Sequence, residues 1–367
     1  MKLVWLQALL FGFGFVLCGA LVPLFRQIAT KTDLVDRPGG RKLQQKPVPY
    51  LGGAAVFAGL LGAFLLAVFG LGTETGRSLS GQFISLEKLA PRPVAERATV
   101  LLALAAGMTV IFVTGLLDDW KGAAFPVWAK LAGQSLAALL VVLSGVHIEI
   151  FNLPGLDHLV TFLWIVGITN AFNLLDNMDG LSSAIAVISS ICFWIVAFSL
   201  GQWLVASLLA VFAGTISGFI PFNWHRASIY LGDAGSLLIG FFLGSMTVIQ
   251  SYIAIGEPLS LAVLMPLLVL AIPLFDTFSV IVIRMRNGQP VYQGDRNHLS
   301  HRLVRIGLSI PEAVLFLCLL QIVTGFGAVL LPRLTFGYGW LVLVQNIIVV
   351  MLVSMLMFFG GKGADGR

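Results

Sequence analysis

The stretch Asn170–Ser183, NAFNLLDNMDGLSS, stands between two long apolar runs, residues 158–175 and 183–200. Each run is long enough to cross a hydrocarbon core of about 30 Å. The stretch holds two aspartates and three asparagines, where a chain in lipid favours leucine. The runs set the fold class, and the polar insert sets the question of function.

Working outward, apolar runs of this length recur along all 367 residues, 58% of which are hydrophobic and 11% charged. A soluble domain carries about 25% charged residues, so the sequence predicts an all-α polytopic membrane protein. Backbone groups in lipid must bond internally, which makes each span a helix. About eleven spans are expected, near 3–25, 50–72, 97–116, 126–146, 158–175, 183–200, 202–220, 231–253, 260–284, 311–332 and 337–360. They form one transmembrane domain, 1–360, and residues 361–367 read as a disordered tail. The first run lacks a small-x-small cleavage site and reads as a span, not a signal peptide. Cys18, Cys192 and Cys318 lie inside apolar runs and read as core residues.

Eleven spans put the termini on opposite sides. Sixteen of the 22 lysines and arginines then share one side, leaving Lys2, Arg77, Lys88, Arg92, Arg97 and Arg333 on the other. Cytoplasmic loops carry the basic excess, so the N-terminus is expected outside and the basic side in the cytoplasm of a plasma (inner) membrane. Acids crowd the same side, which the charge rule does not require.

Asn170, Asn173, Asp176 and Asp179 step by three, forming a slanting polar stripe at the cytoplasmic end of the fifth span, before Gly180 frees the backbone to turn. Such groups face a bundle interior or a watery cavity, or end a helix in solvent. Asp118 and Asp119, in GLLDDW, repel unless a cation is near. Oxygen ligands suit Mg²⁺ or Mn²⁺, and a solvated helix end is the plainer reading. Asp233, in YLGDAGS, is placed to N-cap the next span or to serve a phosphate there. His298 and His301 sit among arginines, including Arg296 and Arg302. They read as phosphate contacts or proton donors, or as part of a basic loop on anionic lipid. Arg41, Lys42 and Lys46 attract an anionic substrate or simply anchor the loop. Asp276 lies about 12 Å up a helix from Arg284 and needs a partner, either a ligand or a basic residue of the neighbouring loop. Together these groups fit phosphoryl-type transfer around a metal. A transporter is the rival class, although its acids belong near the midplane. Nothing points to nucleic acid.

The motifs VDRPGGRK and PVPYLGG (35–42 and 47–53), GLLDDW, NAFNLLDNMDGL, GDAGSLLIGF, PLFDTF and GDRNHLSHRL follow one another in order. In them the chain resembles the polyprenyl-phosphate N-acetylhexosamine-1-phosphate transferases, glycosyltransferase family 4, over about residues 30–310. The nearest likeness is to the bacterial undecaprenyl-phosphate N-acetylglucosamine-1-phosphate branch. The resemblance implies attack of a lipid monophosphate on a UDP-N-acetylhexosamine, giving polyprenyl diphosphate sugar and UMP, with Mg²⁺ required. That is a first membrane step of cell-envelope polysaccharide synthesis. It further implies Asp118 and Asp119 as the catalytic acidic pair near metal and lipid phosphate, and Asp233 as a metal ligand. Asn173, Asp176 and Asp179 would wall the nucleotide and catalytic centre, and His298 and His301 would contact the sugar phosphate. A homodimer stays open. Three departures bear on sugar specificity: Ser300 where many members have His, Gln44 where relatives often have His, and Tyr50 where many have Arg. The branch that uses UDP-muramoyl-pentapeptide has a histidine-denser last loop and fits less well.

Overall fold

A computed structural model describes residues 2–37, 47–72, 94–252, 261–290 and 297–364. Arg41, Lys42, Lys46, Gln44 and Arg296 lie outside the described residues.

The chain is an all-α membrane protein. Its helices are α1 (Lys2–Lys31), α2 (Gly52–Gly72), α3 (Val94–Lys121), α4 (Val127–Leu143), α5 (Pro154–Leu175), α6 (Leu181–Ser199), α7 (Trp203–Asn223) and α8 (Gly232–Ile249). They continue with α9 (Met265–Val269), α10 (Ala271–Arg286), α11 (Leu299–Arg305), α12 (Ile310–Val329) and α13 (Phe336–Ala364). Every expected span coincides with one of these helices, except that the ninth is divided. Among the described residues, eight helices are long and apolar enough to cross a membrane, and the bent pair Leu261–Val269 with Ala271–Arg286 makes up to nine. Gly52–Leu65 and Val127–Leu143 are apolar but shorter. α13 runs to Ala364, past the expected boundary at 360.

Local chemistry accounts for the ends. α12 opens on a capping box in which Ser309 and Glu312 satisfy each other's backbone donors. α5 begins at Pro154, four residues earlier than expected. Asp157 in its first turn accepts from the backbone N–H groups of Ile150, Phe151 and Leu153 at 3.0–3.3 Å. α6 and α7 are separated only by a turn at Gly201, as the sequence predicts.

The ninth span departs from a straight helix. It bends by 69° between Val269 and Ala271. Pro273 has no N–H for the carbonyl of Val269 four residues earlier. That carbonyl instead accepts from Gln321 Nε2 of α12, so the break is satisfied inside the protein, as lipid requires.

A second departure is a small ribbon. β1 (Val35–Asp36) pairs antiparallel with β2 (Val48–Pro49). Past it, Tyr230 N donates to Pro49 O at 2.8 Å and Gly52 N to Tyr230 O at 3.0 Å. The first loop is thereby fastened to the segment leading into α8.

α8 is the most deeply buried span and packs against α2, α3 and α5. Contact is backbone to backbone. A Cβ on Gly53 would stand 2.2 Å from Gly235 N, and one on Gly115 would stand 2.4 Å from Ala234 Cα. Gly53→Val is therefore expected to push α2 off α8, costing about 1–3 kcal/mol or more. A lowered unfolding temperature in detergent checks this, and an unchanged one contradicts it.

Candidate active site

The polar ends of α3, α5 and α8, with the loops between them, meet around one cavity of about 420 Å³. Asp118, Asp119, Asn173, Asp176, Asp179 and Asp233 all line it. The polar residues taken from three separate motifs are thus gathered at one place.

Asp118 and Asp119 divide the work between them. Asp118 Oδ2 lies 2.8 Å from Lys130 Nζ, and the same ammonium lies 3.1 Å from Asp233 Oδ1. Asp119 turns the other way. Its Oδ1 accepts from Asp233 N at 2.7 Å and its Oδ2 from Ala234 N at 3.0 Å. It supplies the cap that helix starts require, but from a different helix. This corrects one expectation: Asp233 does not cap α8, because it sits in the first turn itself. Each Asp119 oxygen accepts one backbone N–H of α8, which sets the plane of its carboxylate. Gly232 makes the arrangement possible: its φ is +72°, and a Cβ there would stand 2.6 Å from Asp119 Oδ2.

Asn173 aims its Nδ2 at Asp233 Oδ1 and at Ser236 Oγ, the latter at 2.9 Å. Asn170, the first member of the expected stripe, is paired instead with Gln134 of α4, donating from Nδ2 at 2.5 Å. The stripe is not one helical face, since α5 ends at Leu175 and leaves Asp176 and Asp179 on the turn into α6. Burial, then the charges of Asp233, Asp119 and Asp179, push the Asp176 carboxyl well above the usual carboxylate range. Tyr50 and Tyr230 also line the cavity, with ring centroids 6.1 Å apart. Burial, then Asp179 and Asp36, push the Tyr230 phenol up to about 12, so it stays a neutral donor.

The histidine loop is built differently from expectation. His298 is 4% exposed and Asp276 1%. Asp276 Oδ2 accepts from His298 Nδ1 at 2.7 Å and its Oδ1 from Leu299 N at 2.6 Å. The partner Asp276 needs is therefore the neighbouring loop, and His298 is its anchor. The His298 and His301 ring centroids are 6.4 Å apart, and neither residue lines the cavity among the described residues. Arg302 is half-buried beside them on α11. Ser300 donates from Oγ to Asn177 Oδ1 at 2.5 Å. Asn177 lines the cavity, so α11 is latched to the acidic turn by a hydroxyl.

Asp276→Asn puts an amide N–H₂ against one of two buried donors. An unsatisfied buried donor costs about 1–3 kcal/mol. Turnover is expected to fall about tenfold to hundredfold as α11 loosens, and an unchanged rate refutes the anchoring role.

Sequence reasoning treated Lys130 only as a basic loop residue, and it passed over His225, Asn223 and Ser236. For Lys130 a signal was present: a lone cation in VWAKLAGQSLAALL is costly in lipid unless it faces a partner.

Comparisons with known proteins cover the same residues. A model of glycosyl transferase family 4 matches residues 101–251, which hold the acidic pair, the acidic turn and Asp233. A probable undecaprenyl-phosphate N-acetylglucosaminyl 1-phosphate transferase of Bacillus subtilis is 31% identical over 345 residues, 92% of this chain and 87% of the relative. The chain belongs to glycosyl transferase family 4. A decaprenyl-phosphate N-acetylglucosaminephosphotransferase of Mycolicibacterium smegmatis is 32% identical over 371 residues, 93% of this chain and 86% of the relative. An undecaprenyl-phosphate alpha-N-acetylglucosaminyl 1-phosphate transferase of Yersinia pestis is 26% identical over 344 residues, 92% and 88% respectively. Membership of glycosyl transferase family 4 thus extends well beyond the matched core, to α1 at one end and the histidine loop at the other.

Proposed function

We propose that this chain transfers N-acetylhexosamine 1-phosphate, with N-acetylglucosamine 1-phosphate the first choice, from a UDP-linked sugar to polyprenyl phosphate. A lipid phosphate oxygen bonds to the β-phosphorus, the bond from that phosphorus to the bridging oxygen breaks, and UMP leaves. The single observation that carries this reading is Asp118 and Asp233 converging on Lys130 within an acid- and amide-lined cavity. The names of the relatives point the same way.

Two carboxylates meeting at one cation are a fitting donor set for Mg²⁺, with Mn²⁺ as a substitute. Mg²⁺ is commonly held by one or two carboxylates together with substrate phosphates. Among the described residues no group of three acids, histidines or cysteines is placed to hold a metal alone, and the substrate diphosphate would complete the shell. Asp118 and Asp233 would hold the ion. When bound, it supplies charge neutralisation at the diphosphate.

The rest belongs to the protein. The Lys130 ammonium offers a second positive charge to a phosphate oxygen. Asn173 fixes Asp233 in place, and Asp119 fixes the backbone that carries it. The turn 176–179 presents amide, acid and main chain to the nucleotide or sugar. Lys42, Lys46, Arg41 and Arg296 would draw the anionic donor towards the cavity.

The chain is read with eleven spans, its N-terminus outside and the cavity at the cytoplasmic face of the plasma membrane. The side holding sixteen of the 22 basic residues supports this orientation.

The test uses detergent-solubilised protein with Mg²⁺, UDP-N-acetylglucosamine labelled in the uridine, and polyprenyl phosphate. Release of labelled UMP that requires the lipid phosphate is expected. A transporter has no compartment to fill in detergent and makes no UMP, so silence overturns the reading. Substituting UDP-N-acetylgalactosamine resolves the sugar.

A further inference from the structure

The acidic turn between α5 and α6 is held from outside by the segment that follows α7. Asn223, 3% exposed, accepts at Oδ1 from Gly180 N at 3.1 Å and from Ser183 Oγ at 3.3 Å. Its Nδ2 donates to Ile229 O at 3.1 Å, closing the segment on itself. Two residues on, His225 Nδ1 lies 3.1 Å from Asp179 Oδ2, and Ala227 N donates to the same oxygen at 3.1 Å. One carboxylate oxygen of Asp179 therefore receives two N–H groups from this loop, and Asp179 itself lines the cavity. A carboxylate on a turn has two free torsions, and a single backbone donor leaves it free to swing. A second donor on the same oxygen fixes the plane of the group.

We propose that His225 is a positioning residue for the transfer, its Nδ1–H locking the Asp179 carboxylate so that the opposite oxygen faces the bound donor substrate. This deepens, and rests on, the transferase reading above. His225 does not line the cavity and acts only through Asp179. The donor class that such an oxygen recognises is a hydroxyl or amide N–H of the nucleotide or sugar. It does not suit a phosphate, which a carboxylate repels. Loss of His225 thus weakens donor binding and alignment without removing charge from the acids around Lys130.

The experiment measures kcat and KM for UMP release by full-length, detergent-purified protein with Mg²⁺, UDP-N-acetylglucosamine and polyprenyl phosphate. His225→Ala is expected to lower kcat/KM about tenfold to hundredfold, the range of a lost hydrogen bond to a charged group, with KM for the sugar nucleotide carrying much of the change. His225→Asn, whose Nδ2 overlays the imidazole Nδ1, is expected to restore kcat/KM to within about threefold of wild type. His225→Leu, matched to Asn in shape but without a donor, is expected to stay as slow as Ala, so the Asn and Leu pair decides the matter even if Ala unfolds. In an Asp179→Asn background, His225→Ala is expected to add little, since coupled residues are not additive. Wild-type activity in His225→Ala, equal rates in the Asn and Leu variants, or the same fold-loss in the Asp179→Asn background would each overturn the proposal. A wild-type protein that releases no UMP overturns the transferase reading, and this inference with it.

Discussion

Asp233→Asn is expected to stop UMP release, with turnover down about 10³-fold, while the protein still inserts and purifies as a single species. The substitution keeps size and shape but removes one of the two charges that meet at Lys130. It also sets an amide where Asn173 Nδ2 and the ammonium both need an acceptor. Loss of one well-placed electrostatic group costs about 10²–10³ in rate, and loss of metal affinity adds to that. The fold survives because the start of α8 is held by Asp119, and that contact uses the backbone of residue 233, not its side chain. Size-exclusion chromatography beside the UMP assay separates the two effects. A variant that turns over within tenfold of wild type removes Asp233 from the metal site.

Lys130→Met is the second large effect, an expected fall of about 10²–10³ in turnover. Methionine retains most of the stem and removes the charge. Asp118 and Asp233 then face each other without a counter-ion, and like carboxylates at close range resist joint ionisation. The variant is therefore expected to unfold at lower temperature in chelator than wild type, and to recover more of that loss when Mg²⁺ is added. Unequal recovery is the diagnostic. A variant with normal turnover and the same Mg²⁺ response as wild type would show Lys130 to be a solvated bystander.

Much of the fold was legible because lipid imposes a coarse code. A helix that crosses a membrane must be apolar throughout, and every expected span coincided with helical chain. The bend in the ninth span was also written, in Pro266 and Pro273, but hydropathy averages over prolines. The acidic turn was legible as an expense, since polar groups at 170–179 make no sense in lipid without a use. Its internal geometry was not. Periodicity assumed that the helix continued, whereas Leu175 ends it and the two aspartates leave the helical face. The capping role of Asp119 was not legible, because a carboxylate beside another carboxylate reads as a ligand pair. Its true partners, the N–H groups of residues 233 and 234, are 114 and 115 positions away. The pairing of His298 was hidden for a similar reason: Asp276 lies 22 positions away, and only the fold brings the two together.

The cap that Asp119 places on α8 has a consequence for what a substitution at the cleft alters. The spacing of Asp118 and Asp233 is fixed by two packed helices meeting backbone to backbone, so it is inherited from the body of the protein. Tyr50, by contrast, lines the cleft from the end of the peripheral ribbon, and Ser300 acts on it through Asn177 from a short helix. A substitution at either outlying position alters the margin of the cleft without shifting the two helices that hold the acids apart.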